Sequence, residues 1–147
     1  MDLNALYHEL ILEHGTKPRN FALLEDFNYE AEGFNALCGD KVHLYLKVVG
    51  DKILSASFQG QGCAISMASA SLLTETLSSM TIAQAKNLSQ HFQATLRSEQ
   101  VDDDELLGKL AALKGVRIFP ARVKCATLAW HTLESALKYQ QETISDE

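Results

Sequence analysis

The apolar positions of this chain change period along its length. Leu3, Leu6, Tyr7, Leu10 and Ile11 recur at helical spacing and predict an amphipathic helix over residues 3–14, with Asp2 or Asn4 available to cap it and Gly15 and Pro18 to stop it. A polar connection carrying Asn20, Asn28 and Asn35 follows, with a short strand expected near residues 27–31. Val42, Leu44, Leu46 and Val48 then alternate with His43, Tyr45 and Lys47, the period of a half-buried strand. Gly50 and Asp51 fit a two-residue type II′ turn, and the returning segment sets Ile53, then Leu54, Ala56 and Phe58, on one face. A hairpin is therefore expected here.

From Cys63 onward the pattern turns to small residues and then leucines in "CAISMASASLLTETLSSM", a helix able to lie close against a sheet. Thr81 and Gln84 form a capping-box pattern for another helix, whose apolar face carries Ile82, Ala85, Leu88, Phe92 and Leu96. "VDDDELLGKLAALKG" predicts a further helix with acidic residues at its start, leucines at 106, 107, 110 and 113, and Gly115 at its end. Its DDDE run reads as a helix cap rather than a metal site. After "VRIFPARVK" a last helix is expected to begin near Cys125, with Pro120 barring an earlier start and Ala126, Ala129, Trp130, Leu133 and Leu137 on its buried side. No repeat and no Gly-, Pro- or Ser-rich linker divides the sequence. The expectation is a single α+β domain over residues 1–147, a small antiparallel sheet of about three strands packed with helices.

Charge and composition narrow the function classes. The formal net charge of −6 offers no sequence-wide attraction to phosphate backbones or anionic lipid, so no nucleic acid and no membrane partner is expected. No stretch reaches about 18 apolar residues, and the N-terminal segment lacks the basic start and apolar run of a signal peptide. A cytoplasmic location is the default. Cys38, Cys63 and Cys125 cannot all pair within one chain, which favours reduced thiols.

Each cysteine falls where a regular element starts or stops, which weakens the reading of a buried filler. Cys38 precedes Gly39 and Asp40 at the start of the hairpin, Cys63 follows "GQG", and Cys125 follows "FPARVK". Cys63 and Cys125 are expected at helix N-termini, whose partial positive charge favours the thiolate. A hairpin that brings its ends together makes neighbours of Cys38 and Cys63, with Asp40 adding an oxygen. Three thiolates and a carboxylate suit tetrahedral Zn²⁺; ferrous iron or an iron–sulfur cluster is the competing occupant. No pair shows the CxxC spacing of a zinc finger, so spacing alone leaves metal ligands and buried thiols both open.

Longer segments carry a resemblance. "LCGDK", "GQGCAISMASASLLTE" and "GVRIFPARVKCATLAW" resemble the three signature segments of the IscU/NifU N-terminal family, which serves iron–sulfur cluster assembly. "LYHELILEHGTKPRN" resembles its opening helix and Pro-Arg-Asn end, and the likeness runs from about Leu6 to Leu137. The resemblance implies an IscU/SufU-like fold, with Cys38, Asp40, Cys63 and Cys125 as metal ligands and Cys38 as the sulfur-accepting thiol. Lys124 stands where scaffold-type members have a histidine, and the 61 residues between Cys63 and Cys125 exceed their interval. Both features are similar to the SufU-type branch. Ala36 departs from the proline common in the first motif.

That branch implies bound zinc and a sulfurtransferase role. Sulfur would pass to Cys38 from the persulfide of a PLP-dependent, SufS-type cysteine desulfurase, one of whose histidines takes the Cys38 position on the metal, and then to downstream iron–sulfur assembly proteins. The alternative is a scaffold on which a [2Fe–2S] cluster is built. Three thiolates and a carboxylate leave Zn²⁺ with an excess of negative charge, and Arg122 and Lys124 are placed to offset it. Arg122 is a candidate for steadying the incoming sulfur, with a surface ion pair as the plainer alternative; Lys124 is expected to face solvent. His131 lies off the Cys125 face, His8, His43 and His91 are expected exposed, and His14 is expected to cap helix carbonyls. Tyr7, Ser66, Ser69 and Ser71 read as packing or helix hydrogen bonding.

Overall fold

Alternation in residues 40–61 builds the centre of the sheet. In the computed structural model of the protein, which describes residues 3–98, 103–139 and 142–145, β2 (Asp40–Val49) pairs antiparallel with β3 (Lys52–Gln61), from Val49↔Lys52 at the turn to Lys41↔Gln61 at the open end. Gly50 has φ +64° while Asp51 keeps a negative φ, as a type II′ turn requires. β1 (Tyr29–Asn35) pairs antiparallel with the other edge of β2, through to Asn35↔Asp40. The predicted three-stranded antiparallel sheet is present, with β1 displaced toward Asn35 relative to the expected 27–31. A short β4 (Glu142–Ser145) adds in parallel to β1, giving the order β3-β2-β1-β4.

Leu54 departs from the expected face. The register slips between Lys47 and Val48, so that Ile53 pairs with Val48 and Ser55 with Lys47, and Leu54 becomes the extra residue of a bulge. It is 49% exposed, while Ile53, Ala56 and Phe58 reach the core.

Helices cover the core face. α1 (Leu3–Thr16) packs on α2 (Ala64–Leu77), and α2 and α5 (Pro120–Tyr139) pack on the strands, with α3 (Ile82–Leu96) beside α5. Val42, Leu44, Leu46 and Phe58 meet Leu72, Leu73, Trp130 and Leu133 in one cluster of fully buried side chains. Each large apolar side chain there contributes about 1.5–3 kcal/mol relative to exposure. Thr81 and Gln84 form the predicted reciprocal capping box of α3, and the predicted apolar faces of α3 and α5 are the buried ones. α1 runs through Gly15, whose missing side chain lets the helix approach Ala64; a Cβ there would lie 2.8 Å from the Ala64 carbonyl oxygen. Asn4 lies inside α1 rather than capping it, and Asp2 lies outside the described residues.

Two helix expectations change. The single helix expected through "DDDELLGKLAALKG" is a four-residue α4 (Asp104–Leu107), capped by Asp103, followed by a 3₁₀ run from Gly108 to Ile118. Gly108, at φ +54° and ψ −128°, breaks the α-helical path while Leu107, Leu110 and Leu113 stay buried. α5 begins at Pro120, not near Cys125. Proline lacks only an N–H that the first helical turn leaves unpaired, so it opens the helix instead of delaying it.

Candidate metal centre

The open end of the hairpin and the second turn of α5 meet at one place. Residues 36–39 form the turn between β1 and β2, and Cys38 lies exposed in it, its N–H donating to the Asn35 carbonyl at 3.3 Å. Asp40 opens β2 and is 2% exposed. Across the ladder, Cys63 caps α2: its sulfur accepts the Ser66 N–H at 3.4 Å. Its own N–H donates to Asp40 Oδ1 at 3.0 Å. A Cβ on Gly62 would lie 2.5 Å from that same oxygen, so glycine is what allows the carboxylate to sit against this backbone.

Cys38 Sγ, Cys125 Sγ and a carboxylate oxygen of Asp40 all lie within 4.8 Å of one another. The two sulfurs are 3.4 Å apart. That is too long for a disulfide and close to the sulfur–sulfur edge of about 3.8 Å that Zn–S bonds of about 2.3 Å give in a tetrahedron. The donor set fits a cation that accepts sulfur and oxygen. The Cys63 sulfur falls outside this three-residue grouping, although Cys63 acts electrostatically on both Cys125 and Arg122.

Cys125 is where the electrostatics differ from expectation. It lies in the second turn of α5 and is fully buried, not at a helix N-terminus. Burial pushes its thiol up, and so do hydrogen bonds to Cys38 and Asp40 and the negative charges of Cys63 and Asp40. These surroundings favour the protonated thiol, and a bound cation would oppose them by drawing charge from the sulfur. Arg122, exposed one turn earlier, places Nη1 4.0 Å from the Cys125 sulfur. Its guanidinium is held still more firmly protonated by that hydrogen bond and by the neighbouring thiols. Lys124 is half-buried rather than facing solvent.

One residue beside this group had no motif to mark it. Asn35, 1% exposed at the end of β1, points Nδ2 at Asp40 Oδ2 (3.5 Å) and at the Cys125 sulfur (3.8 Å). Its Oδ1 is buried without a hydrogen-bond partner. Only its position, three residues before Cys38, hinted at a role.

The other singled-out polar residues of the described side chains are outside the three-residue grouping, and the Tyr7 side chain lies outside the described residues. His14 is buried and does not cap carbonyls: Nδ1 lies 2.6 Å from Ser71 Oγ and Nε2 3.7 Å from Glu75. Ser69 donates to the Ala126 carbonyl and accepts from Trp130, which ties α2 to α5. Ser66 is buried with its hydroxyl unpaired. His43 is half-buried between Glu30 (3.2 Å) and Glu32 (3.3 Å) and stacks on Tyr45, and His91 is half-buried; His8 is exposed as expected.

The chain is similar along most of its length to proteins of one kind. It is 39% identical over 140 residues to the zinc-dependent sulfurtransferase SufU of Bacillus subtilis (strain 168), covering 95% of each chain. It is 36% identical over 138 residues to the iron–sulfur cluster assembly scaffold protein IscU of Thermotoga maritima, covering 94% of this chain and 96% of that one. Its fold superposes with a TM-score of 0.85, at 34% identity, on the crystal structure of a candidate iron–sulfur cluster assembly scaffold protein for the SUF system from Fervidobacterium islandicum AW-1, covering 93% of this chain and all of that one. With residues 6–144 matching the profile of the NifU-like N terminal domain, the chain belongs to that family.

Proposed function

We propose that the protein is a zinc-dependent sulfur acceptor of iron–sulfur cluster assembly, with Cys38, Asp40, Cys63 and Cys125 as the metal ligands and Cys38 as the thiol that receives sulfur. The observation that carries this reading is the asymmetry of the three-residue grouping: Asp40 and Cys125 are buried, and Cys38 beside them is exposed. A bound Zn²⁺ would hold the thiols deprotonated and keep the Cys38 sulfur masked until a ligand from a partner took its place.

The partner is a PLP-dependent, SufS-type cysteine desulfurase carrying a persulfide. The Cys38 thiolate attacks the terminal sulfur of that persulfide, a new S–S bond forms on Cys38, and the desulfurase cysteine leaves as a thiolate. The donor persulfide is reduced to a thiol and Cys38 is oxidised to a persulfide, so no outside oxidant is needed. Arg122, exposed and 4.0 Å from the Cys125 sulfur, is placed to steady the anionic sulfur during the exchange. The turn holding Cys38 also carries Leu37, 80% exposed, so the acceptor approaches a partner from a surface rather than a cleft. Downstream assembly proteins then take the sulfur.

The purified protein is expected to hold about one zinc per chain, to raise cysteine turnover by a SufS-type desulfurase, and to gain the mass of one sulfur atom on Cys38. A native protein that holds zinc but gains no sulfur on Cys38 overturns this reading. The full-length likeness to an IscU scaffold favours a second one, assembly of a [2Fe–2S] cluster on the same residues. Anaerobic reconstitution separates the two: a stable cluster that zinc does not displace supports the scaffold.

A further inference from the structure

The geometry points to Asn35 as the positioning residue of this centre, a fixed amide that holds Asp40 and Cys125 in place so that any loosening falls on Cys38. The inference rests on the proposed metal reading and goes beyond it by naming what makes one sulfur labile and another permanent.

Cys125 and Cys38 supply the same chemistry at neighbouring points, so their different roles must come from what surrounds them. Around Cys125 the surroundings are rigid. It sits on a twenty-residue helix, is fully buried, and faces the Asn35 amide nitrogen at 3.8 Å and the Arg122 guanidinium at 4.0 Å. Donors of this kind draw charge from a thiolate and fix its direction. Cys38 sits in a four-residue turn in solvent, and the hydrogen bond its sulfur receives comes from Cys125 itself.

Asn35 is anchored for the task. It ends β1 opposite Asp40 in the ladder, so its backbone is set by the sheet, and its side chain is 1% exposed. The same Nδ2 group reaches Asp40 Oδ2 at 3.5 Å, while Asp40 Oδ1 is held by the Cys63 N–H at 3.0 Å. Both carboxylate oxygens are thereby oriented from outside the metal. Packing alone would not favour an amide here. Its Oδ1 is buried and unpaired, an arrangement less stable than an apolar side chain of the same shape. The gain lies in the two donor bonds of Nδ2.

The test uses the full chain loaded with Co²⁺ or Zn²⁺, comparing the unmodified protein with Asn35→Leu, which keeps the size and loses the donors, and with isosteric Asn35→Asp. Folding is checked by circular dichroism. In Asn35→Leu the sulfur-to-cobalt charge-transfer band is expected to move to lower energy, since the thiolate regains charge. Zinc affinity is expected to fall about 10–100-fold, the usual consequence of losing an outer hydrogen bond, and zinc to pass correspondingly faster to a chelator. Asn35→Asp, which sets a carboxylate beside Asp40 and Cys125, is expected to lose metal at least as fast. Folded variants with an unchanged band and unchanged zinc loss overturn the role of Asn35 alone. An unmodified chain that binds neither metal overturns the metal reading with it, whereas tight metal binding without sulfur transfer leaves Asn35 standing and removes only the acceptor function.

Discussion

Two buried polar clusters in this molecule are built to opposite standards. Between α1 and α2, His14 meets Ser71 at 2.6 Å, the Arg19 N–H donates to Ser71 at 2.8 Å, and Asn20 donates to Thr74 at 3.1 Å. These three contacts are short, with longer ones from His14 to Glu75 (3.7 Å) and from the Thr74 hydroxyl to the Arg19 carbonyl (3.5 Å) at the margin. At the open end of the hairpin, Cys38, Asp40, Cys125 and Asn35 face one another at 3.4–3.8 Å, and the Asn35 Oδ1 has no partner. Sulfur's larger radius accounts for part of the looseness but not for the unpaired amide oxygen, which shares that state with the buried hydroxyls of Ser57, Ser66 and Ser135. Buried polar groups that satisfy one another hold helices together. Groups that converge without satisfying one another call for a different account, which the proposed metal supplies.

The sharpest way to break this contrast is to remove one sulfur. Cys38→Ala is expected to leave the circular dichroism spectrum unchanged and to abolish both persulfide formation and desulfurase stimulation, because the exposed thiol is the proposed acceptor and carries little of the packing. Ser71→Ala is expected to leave both at the level of the unmodified chain. A Cys38→Ala chain that still accepts sulfur would place the acceptor elsewhere.

Metal comes next in size. Zn²⁺ at a hundredfold excess over its Kd stabilises a folded site by about 2.7 kcal/mol, so stripping it with a chelator is expected to lower the melting temperature measurably and re-addition to restore it. Ser71→Ala tests the other cluster. The loss of a fully buried hydroxyl that serves both His14 and the Arg19 N–H is expected to destabilise by about 1–3 kcal/mol in urea unfolding, with zinc content unchanged. If it lost its zinc as well, the two clusters would be one coupled unit.

The smallest effect separates them by pH. Burial holds the His14 imidazole below its usual range, with Arg19 and Lys109 adding to the depression and Glu75 and Glu13 opposing it. The unfolded chain takes up this proton at about pH 6.5 while the folded chain resists it. Stability is thus fully present above that pH and lost as pH falls below it. The urea midpoint is expected to drop between about pH 7.5 and about pH 5.5, and the drop to shrink in His14→Gln.

Strongly periodic segments could be read directly from the sequence. The faces of β2, α3 and α5 follow from spacing alone, and the Thr81–Gln84 box is a local hydrogen-bond pattern that needs no distant partner. Where single residues act against the pattern, the reading slipped. Leu54 belongs to the apolar series but takes the bulge, Gly108 interrupts a leucine stripe of which Leu106 is exposed while Leu107, Leu110 and Leu113 are buried, and Pro120 opens a helix that it was expected to delay. Hairpin closure was expected to make neighbours of Cys38 and Cys63, and it brings the Cys63 backbone to Asp40 while its sulfur stays outside the grouping; Cys38 lies two residues from Asp40 in sequence, and Cys125 reaches them only through the packing of α5 on the sheet. Asn35 could not be singled out, because an asparagine near a turn has a sufficient local explanation.

The bulge at Leu54 also makes the hairpin unequal in its tolerance of length changes. Excising that one residue leaves Ile53, Ser55 and Ala56 in unbroken alternation and every pairing beyond Lys47↔Ser55 as it was, so Cys63 still arrives opposite Asp40. Excising a residue between 55 and 61 while the bulge is kept turns the remainder of the strand inside out and carries the second thiol away from the carboxylate. Shortening of this hairpin is therefore tolerated at Leu54, nine residues before the cysteine whose location it protects.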